Sequence, residues 1–307
     1  MRASKPRPPL PGRTGRGRCI AHHGELVQGS FPCGAGSAPG LVTVPLPQLG
    51  ACAQFQPSAR PGVRAGHGLG KARRAAQLTL RLCRERQVPC PPGGRLRIES
   101  GIPPGWGMGS STADVVATIR AVGDCCGLRL SRREVSELAR RAETASDPLA
   151  YGCVPLLFAH RHGRVIRHWP RAFPRVHVVG CRVPGGPVET LDVGGGQYSP
   201  RERRECLRIL QRVDRAVSEQ DAALLGEAAT RSALLNQSRL PKPALPTLLA
   251  VCRETGGVGV QVAHSGTVCA VLVDARRPGA AHRAREARTA LDSLGLERTV
   301  DMIWGGA

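Results

Sequence analysis

Apolar positions recur along the chain with two periods, and the places where one period gives way to the other mark its elements. Val115, Val116, Ile119 and Val122 share one face at helical spacing, as do Val135, Leu138, Ala139 and Ala142 further on. Leu207, Leu210, Val213 and Val217 predict another helix, Asp221 to Leu235 a further one, and Ala280 to Leu294 a terminal one. Ala75, Ala76, Leu78, Leu80 and Leu82 place a helix after the glycine-rich turn at 65–70. Two start signals sharpen these assignments: Ser131 with Glu134, and Ser199 with Glu202 behind Pro200, both read as capping boxes.

Strand patterns fill the intervals. Leu41–Pro47 reads as a strand broken by proline, with Ala51–Gln56 a separate one and Leu96–Ser100 a short one. Val154–Ala159 and Arg164–Trp169 form a hairpin, Val176–Val183 a strand, Val258–Val273 two strands around Ala263–Thr267, and Thr299–Trp304 a last strand. Residues 1–17 are Pro, Gly and Arg without periodicity and predict a disordered arm, with structure beginning near Arg18. The prolines of Pro170–Pro174 divide the remainder into 18–172 and 173–307, an α+β pair by its alternation of elements.

At 307 residues the chain can hold one large core or two ordinary ones. No apolar run approaches the roughly 18 residues of a membrane helix, and the start lacks the apolar segment of a secretory signal. The expectation is a soluble cytoplasmic protein with no membrane partner. Its 12 cysteines contain no C-x-x-C pair, which suits thiols in a reducing compartment better than a disulfide framework. The formal charge of +21 would ordinarily point to nucleic acid. Here, however, the basic residues are Arg except for Lys5, Lys71 and Lys242, and they spread along the whole chain, as a GC-rich coding bias would produce. Aromatics at 3% are too scarce for base stacking, so a nucleic-acid role is disfavoured and a general attraction for anionic substrates remains.

The candidate chemistry centres on Pro103–Asp114, a glycine-rich loop that ends on a helix N-terminus, where unpaired N–H groups favour phosphate. Gly105, Gly107 and Gly109 let the backbone approach an anion closely, while Ser110, Ser111 and Thr112 offer hydroxyls to a phosphate or metal. The same residues also read as a plain helix cap. The loop matches neither the P-loop nor the dinucleotide-binding spacing, and the Ala65–Ala72 stretch mimics a P-loop but fails at both ends. Beyond the next helix, Glu143 and Asp147 stand four apart with small residues between, able to face one cavity or simply solvent. Gly24-Glu25-Leu26-Val27-Gln28-Gly29 sets two polar residues between backbone kinks, after a His22-His23 pair whose imidazoles point apart on an extended chain. The turn at Ala263–Thr267 presents His264, Ser265 and Thr267 together.

The run Gly107-Met-Gly-Ser-Ser-Thr-Ala-Asp114 after Pro104 resembles the second signature of the GHMP kinases, and in particular the L-threonine kinase branch used in cobalamin synthesis. Gly24–Gly29 resembles that branch's first signature, although Ile20 and His22-His23 stand where it has a Pro and a Ser-Cys pair. His264-Ser265-Gly266-Thr267 resembles the third, and Asn236–Pro243 is also similar to the branch. The resemblance covers about residues 18–275. It implies a two-domain fold, with an N-terminal domain like domain 2 of ribosomal protein S5 and a ferredoxin-like C-terminal domain. It also implies ATP on Pro104, Gly105, Trp106, Gly107, Met108, Gly109, Ser110, Ser111 and Thr112, and Mg²⁺ on Glu143 with Ser110 or Ser111. Asp147 would accept or orient the substrate proton, with a small hydroxylated amino acid bound by Glu25, Gln28, His264, Ser265, Gly266 and Thr267; at the pair that departs from the branch, His23 is read from the residues themselves as a further substrate contact. L-threonine is the first expectation, with homoserine or another small alcohol as alternatives and a homodimer left open. A non-catalytic basic nucleic-acid-binding protein is the rival from another class.

Overall fold

The computed structural model describes residues 12–184 and 198–306. Most of the expected arm, residues 1–11, lies outside the described residues. The first strand nevertheless starts earlier than expected: β1 runs Gly15–Cys33, and Gly15, Arg16 and Gly17 pair with Phe55, Gln54 and Ala53. Its partner is β2, Gly36–Ser58, a single long strand where two were expected. Pro45 stays in register opposite His22, and Pro47 does not end the strand because the ladder slips there. Ile20 pairs with Gly50 but Ala21 with Leu46, so Pro47–Leu49 bulge out where no ladder N–H is needed.

The N-terminal half continues through β3 (Gly62–Arg64), α1 (Gly70–Glu85) and β4 (Gly93–Ser100) to α2 (Ser110–Cys126) and α3 (Arg132–Glu143). A 3-10 turn, Pro148–Tyr151, and the expected hairpin, β5 (Leu156–Ala159) with β6 (Arg164–His168), follow. Helix α2 packs across β1 and β2, with Val115, Val116, Ile119 and Val122 fully buried as their spacing predicted. At α3 both bonds of the Ser131–Glu134 capping box are made, fixing where the helix begins.

The second half comprises β7 (Val176–Arg182), α4 (Pro200–Glu219), α5 (Ala222–Leu235), α6 (Leu245–Glu254), β8 (Gly259–Val262), β9 (Val268–Asp274), α7 (Ala280–Ser293) and β10 (Glu297–Trp304). Its strands lie in the order β10-β7-β9-β8, all antiparallel, which is the ferredoxin-like arrangement. Helix α6 had no sequence assignment. It buries Leu245, Leu248, Val251 and Cys252 against β8 and β9.

The two halves share one sheet, joined where Glu25 of β1 pairs with Val262 of β8. That junction is irregular. His22 pairs with Pro45 and Glu25 with Thr43, so β1 carries an extra residue between them, centred on Gly24 at φ 61°. The bulge re-aims the side chains on either side of it. Among the described residues no helix is long and apolar enough to cross a membrane.

Candidate active site

A cleft of ≈ 230 Å³ opens where the β1 bulge, the α2 N-terminus, the end of α3 and the β8–β9 turn meet. Gly109, in the left-handed conformation at φ 76°, caps α2 with no side-chain hydrogen bond, so the helix N-terminus faces the cleft through Ser110, Ser111 and Thr112. The loop before it is fastened to the β8–β9 turn backbone to backbone. The amides of Thr267 and Val268 both donate to the Trp106 carbonyl, at 3.0 and 3.1 Å. Gly266, at φ 115°, lies so close to Gly107 that a side chain there would overlap the Gly107 amide.

Glu143 reaches this loop. Ser111 Oγ donates to Glu143 Oε2 at 2.9 Å and Thr112 Oγ1 to Glu143 Oε1 at 2.7 Å. Thr112 Oγ1 also lies 3.3 Å from Asp147 Oδ2. Burial raises the Glu143 carboxyl to about 7 against the opposing pull of those hydroxyls. At Asp147 burial pushes the same way, yet His22 beside it holds the carboxyl below the usual range. Thr144 at φ 71° ends α3 and turns the chain so that both acids, four apart, face one space.

On the opposite wall, Glu25 accepts a hydrogen bond from the His264 amide, and Gln28 Oε1 lies 2.7 Å from His264 Nδ1. Burial lifts Glu25 to about 7, with His22 opposing. The His264 and His160 rings sit 5.3 Å apart, and burial lowers them to about 3 and about 4, so both are neutral at pH 7.

The expected site residues separate into three groups. Gly105, Gly107, Met108, Gly109, Ser110, Ser111, Thr112, Glu143, Asp147, Glu25, His264, Ser265 and Gly266 all line the cleft. Pro104, Trp106, Gln28 and Thr267 do not. Trp106 contributes its carbonyl while Arg182 covers its ring at 4.7 Å, and Gln28 acts by bonding His264. His23 is a correction. Its fully buried ring points to the far side of β1, held by Thr299 Oγ1 at 2.8 Å and the Gln261 side chain at 2.9 Å. His22 takes the place in the cleft expected of its neighbour.

Sequence reasoning missed Lys71, His160, Ser146 and Lys242. Lys71, in the first turn of α1, lines the cleft and lowers the Glu143 carboxyl through its charge. Buried Lys242 donates to the Gly266 carbonyl at 2.6 Å, bracing the turn from below. A signal was available: two of the three lysines in this arginine-rich sequence converge here.

The donor set suits a hard cation. It consists of oxygens from one carboxylate and adjacent hydroxyls, open toward the phosphate loop, and Mg²⁺ takes one or two carboxylates and completes its shell with phosphate and water. Among the described residues no group of three or more His, Cys, Asp or Glu forms a metal cage.

The GHMP kinases N terminal domain description matches residues 71–153, and the GHMP kinases C terminal description matches residues 215–290. The chain belongs to the GHMP kinase family. It is 32% identical over 189 residues to an L-threonine kinase of Citrobacter freundii, a match covering 60% of this chain and 63% of that protein. Against an L-threonine kinase of Salmonella typhimurium the identity is 31%, covering 60% of this chain and 61% of that one. The chain thus spans somewhat under two thirds of the length of these curated relatives. In fold it is similar to a homoserine kinase of Cytophaga hutchinsonii, with a TM-score of 0.66 at 14% identity over 100% of this chain and 96% of that one. The two-domain GHMP kinase fold expected from the sequence is therefore the fold of this chain.

Proposed function

We propose that the protein transfers the γ-phosphoryl group of ATP to the hydroxyl of a small amino acid, L-threonine first, giving O-phospho-L-threonine and ADP. What carries this reading is the meeting of Glu143 with Ser111 and Thr112 at the head of α2, beside Asp147 and across from Glu25. Identity to the two L-threonine kinases supports that substrate over other small alcohols.

In this reading the unpaired amides at the start of α2 and the glycine loop hold the phosphates, with Lys71 adding positive charge from α1. Glu143 and Ser111 would hold Mg²⁺, which when bound offsets charge on the phosphate oxygens. Glu25 lies where it can receive the substrate ammonium, ionising more readily beside that cation. The substrate oxygen attacks the γ-phosphorus in line, the bond to the bridging oxygen of ADP breaks, and the hydroxyl proton passes to Asp147. Positioning and charge stabilisation supply most of the rate. We place the nucleotide side in the half ending near residue 172, beginning at Gly15 rather than Arg18, and the remainder in 173–307.

The test is ADP release measured with L-threonine, L-serine and homoserine in parallel. The highest kcat/KM is expected for L-threonine. Turnover with none of the three, together with salt-dependent DNA retention, would favour the nucleic-acid-binding alternative.

A further inference from the structure

Three carboxylates, Glu25, Glu143 and Asp147, converge on the cleft, and the imidazole of His22 is inserted between two of them. Its Nε2 lies 3.3 Å from Asp147 Oδ2 and its Nδ1 3.6 Å from Glu25 Oε1. The ring is 2% exposed, and neither nitrogen has an aligned hydrogen-bond partner despite this proximity. Its place is fixed on two sides. The His22 amide donates to the Met108 carbonyl at 3.2 Å, and the ring packs on Gly109 so closely that a Cβ there would sit 2.6 Å from Cδ2.

We propose, resting on the phosphorylation reading above, that His22 is a positioning residue of the transfer step. Its imidazole ties Asp147 to the substrate-side Glu25 and to the phosphate loop, holding the Asp147 carboxylate where the hydroxyl proton must go. The contrast among the three acids supports this. Glu25 and Glu143, both buried, are raised to about 7, whereas Asp147, its side chain 25% exposed and set beside His22, is lowered. Burial disfavours a charged imidazole at His22, but Asp147 and then Glu25 outweigh it and lift it to about 9. Glu25 from β1 and Asp147 from the segment after α3 are the acids that face the ring, while neutral His23 turns to the other side of the strand. A charged imidazole therefore stabilises an ionised Asp147. The extra residue at Gly24 puts Glu25, three positions on, on the same side as this ring, where regular alternation would oppose them.

The experiment compares His22→Gln, Asp147→Asn and the double variant in kcat, KM for L-threonine and Kd for ATP. We expect His22→Gln to lower kcat by at least about tenfold with ATP affinity kept. The double variant should be no slower than Asp147→Asn alone, since a residue acting through another loses its effect when that other is gone. Multiplied losses, or an unchanged kcat in His22→Gln, would overturn the proposal. Should His22→Gln not fold, His22→Asn takes its place. A second measurement does not need turnover: in ¹⁵N-histidine spectra of the wild-type protein, His22 should give imidazolium signals that shift in Asp147→Asn. Signals that do not move overturn the pairing. If instead they move while no hydroxy amino acid is phosphorylated, the pairing stands and only the substrate reading falls.

Discussion

Ser111 Oγ donates to Glu143 Oε2 at 2.9 Å, joining the first turn of α2 to the last residue of α3. Thirty-two positions apart in sequence, the two residues present adjacent oxygen donors beside a helix N-terminus. Ser111→Ala and Glu143→Gln should therefore each lower ATP-dependent turnover at least about tenfold, the scale of losing one preorganised contact to the transferring group. Near-native rates in both variants would remove the cation site from this pair.

Burial holds the Glu143 carboxyl near 7, and a cation binds its ionised form. Mg²⁺ affinity in the presence of a non-hydrolysable ATP analogue should thus tighten by about tenfold from pH 6 to pH 8, following the ionised fraction. Titration calorimetry reads this directly. Glu143→Gln should flatten the profile to whatever the nucleotide contributes by itself. Without the cation the sign for stability is the reverse. A raised carboxyl adds stability that is fully present below its ordinary 4.5 and is lost as pH rises through about 7.

Asp147 touches the hydroxyl of Thr112 and the ring of His22, and neither contact is to the phosphate loop amides. Asp147→Asn should lower kcat while leaving ATP affinity within about twofold of wild type. Unchanged turnover would mean that the proton leaves without a protein base.

Glu25 and His264 face the cleft from the side away from Glu143. Glu25→Gln should raise KM for the amino acid with little change in KM for ATP, because it removes the charge opposite the substrate ammonium. An equal rise in both constants would assign Glu25 to the fold rather than to the substrate.

Gly266 holds the turn against the phosphate loop in a conformation few other residues adopt, with φ at 115°. Gly266→Ala combines that strain with overlap on the Gly107 amide and should cost about 1–3 kcal/mol, read by urea unfolding. ATP affinity should fall with it, since the same contact fixes the loop.

Much of this molecule was legible from contiguous residues. The two capping boxes, the buried face of α2, the hairpins and the glycine loop depend on neighbours within a turn or two, and each stands where its local pattern placed it. Helix α6 escaped because its short apolar run lies among prolines and carries no side-chain cap. The long β2 escaped because proline ends a strand only where the ladder needs its missing N–H, and the slip at Pro47–Leu49 removes that need.

The choice between His22 and His23 belongs to another kind of information. Sequence alone determined that the two imidazoles point apart, since successive side chains on a strand alternate. Which of them enters the cleft was decided by the register of β1 against β2 and by the closing of the sheet through Glu25 and Val262. Packing between segments distant in the chain likewise brought Lys71 and His160 to the cleft and set Lys242 beneath its turn. Chemistry and local shape are written in residue types and short spacings. The meeting of charges across a cleft is set by register and packing between elements far apart in the chain, and only the folded sheet supplies those.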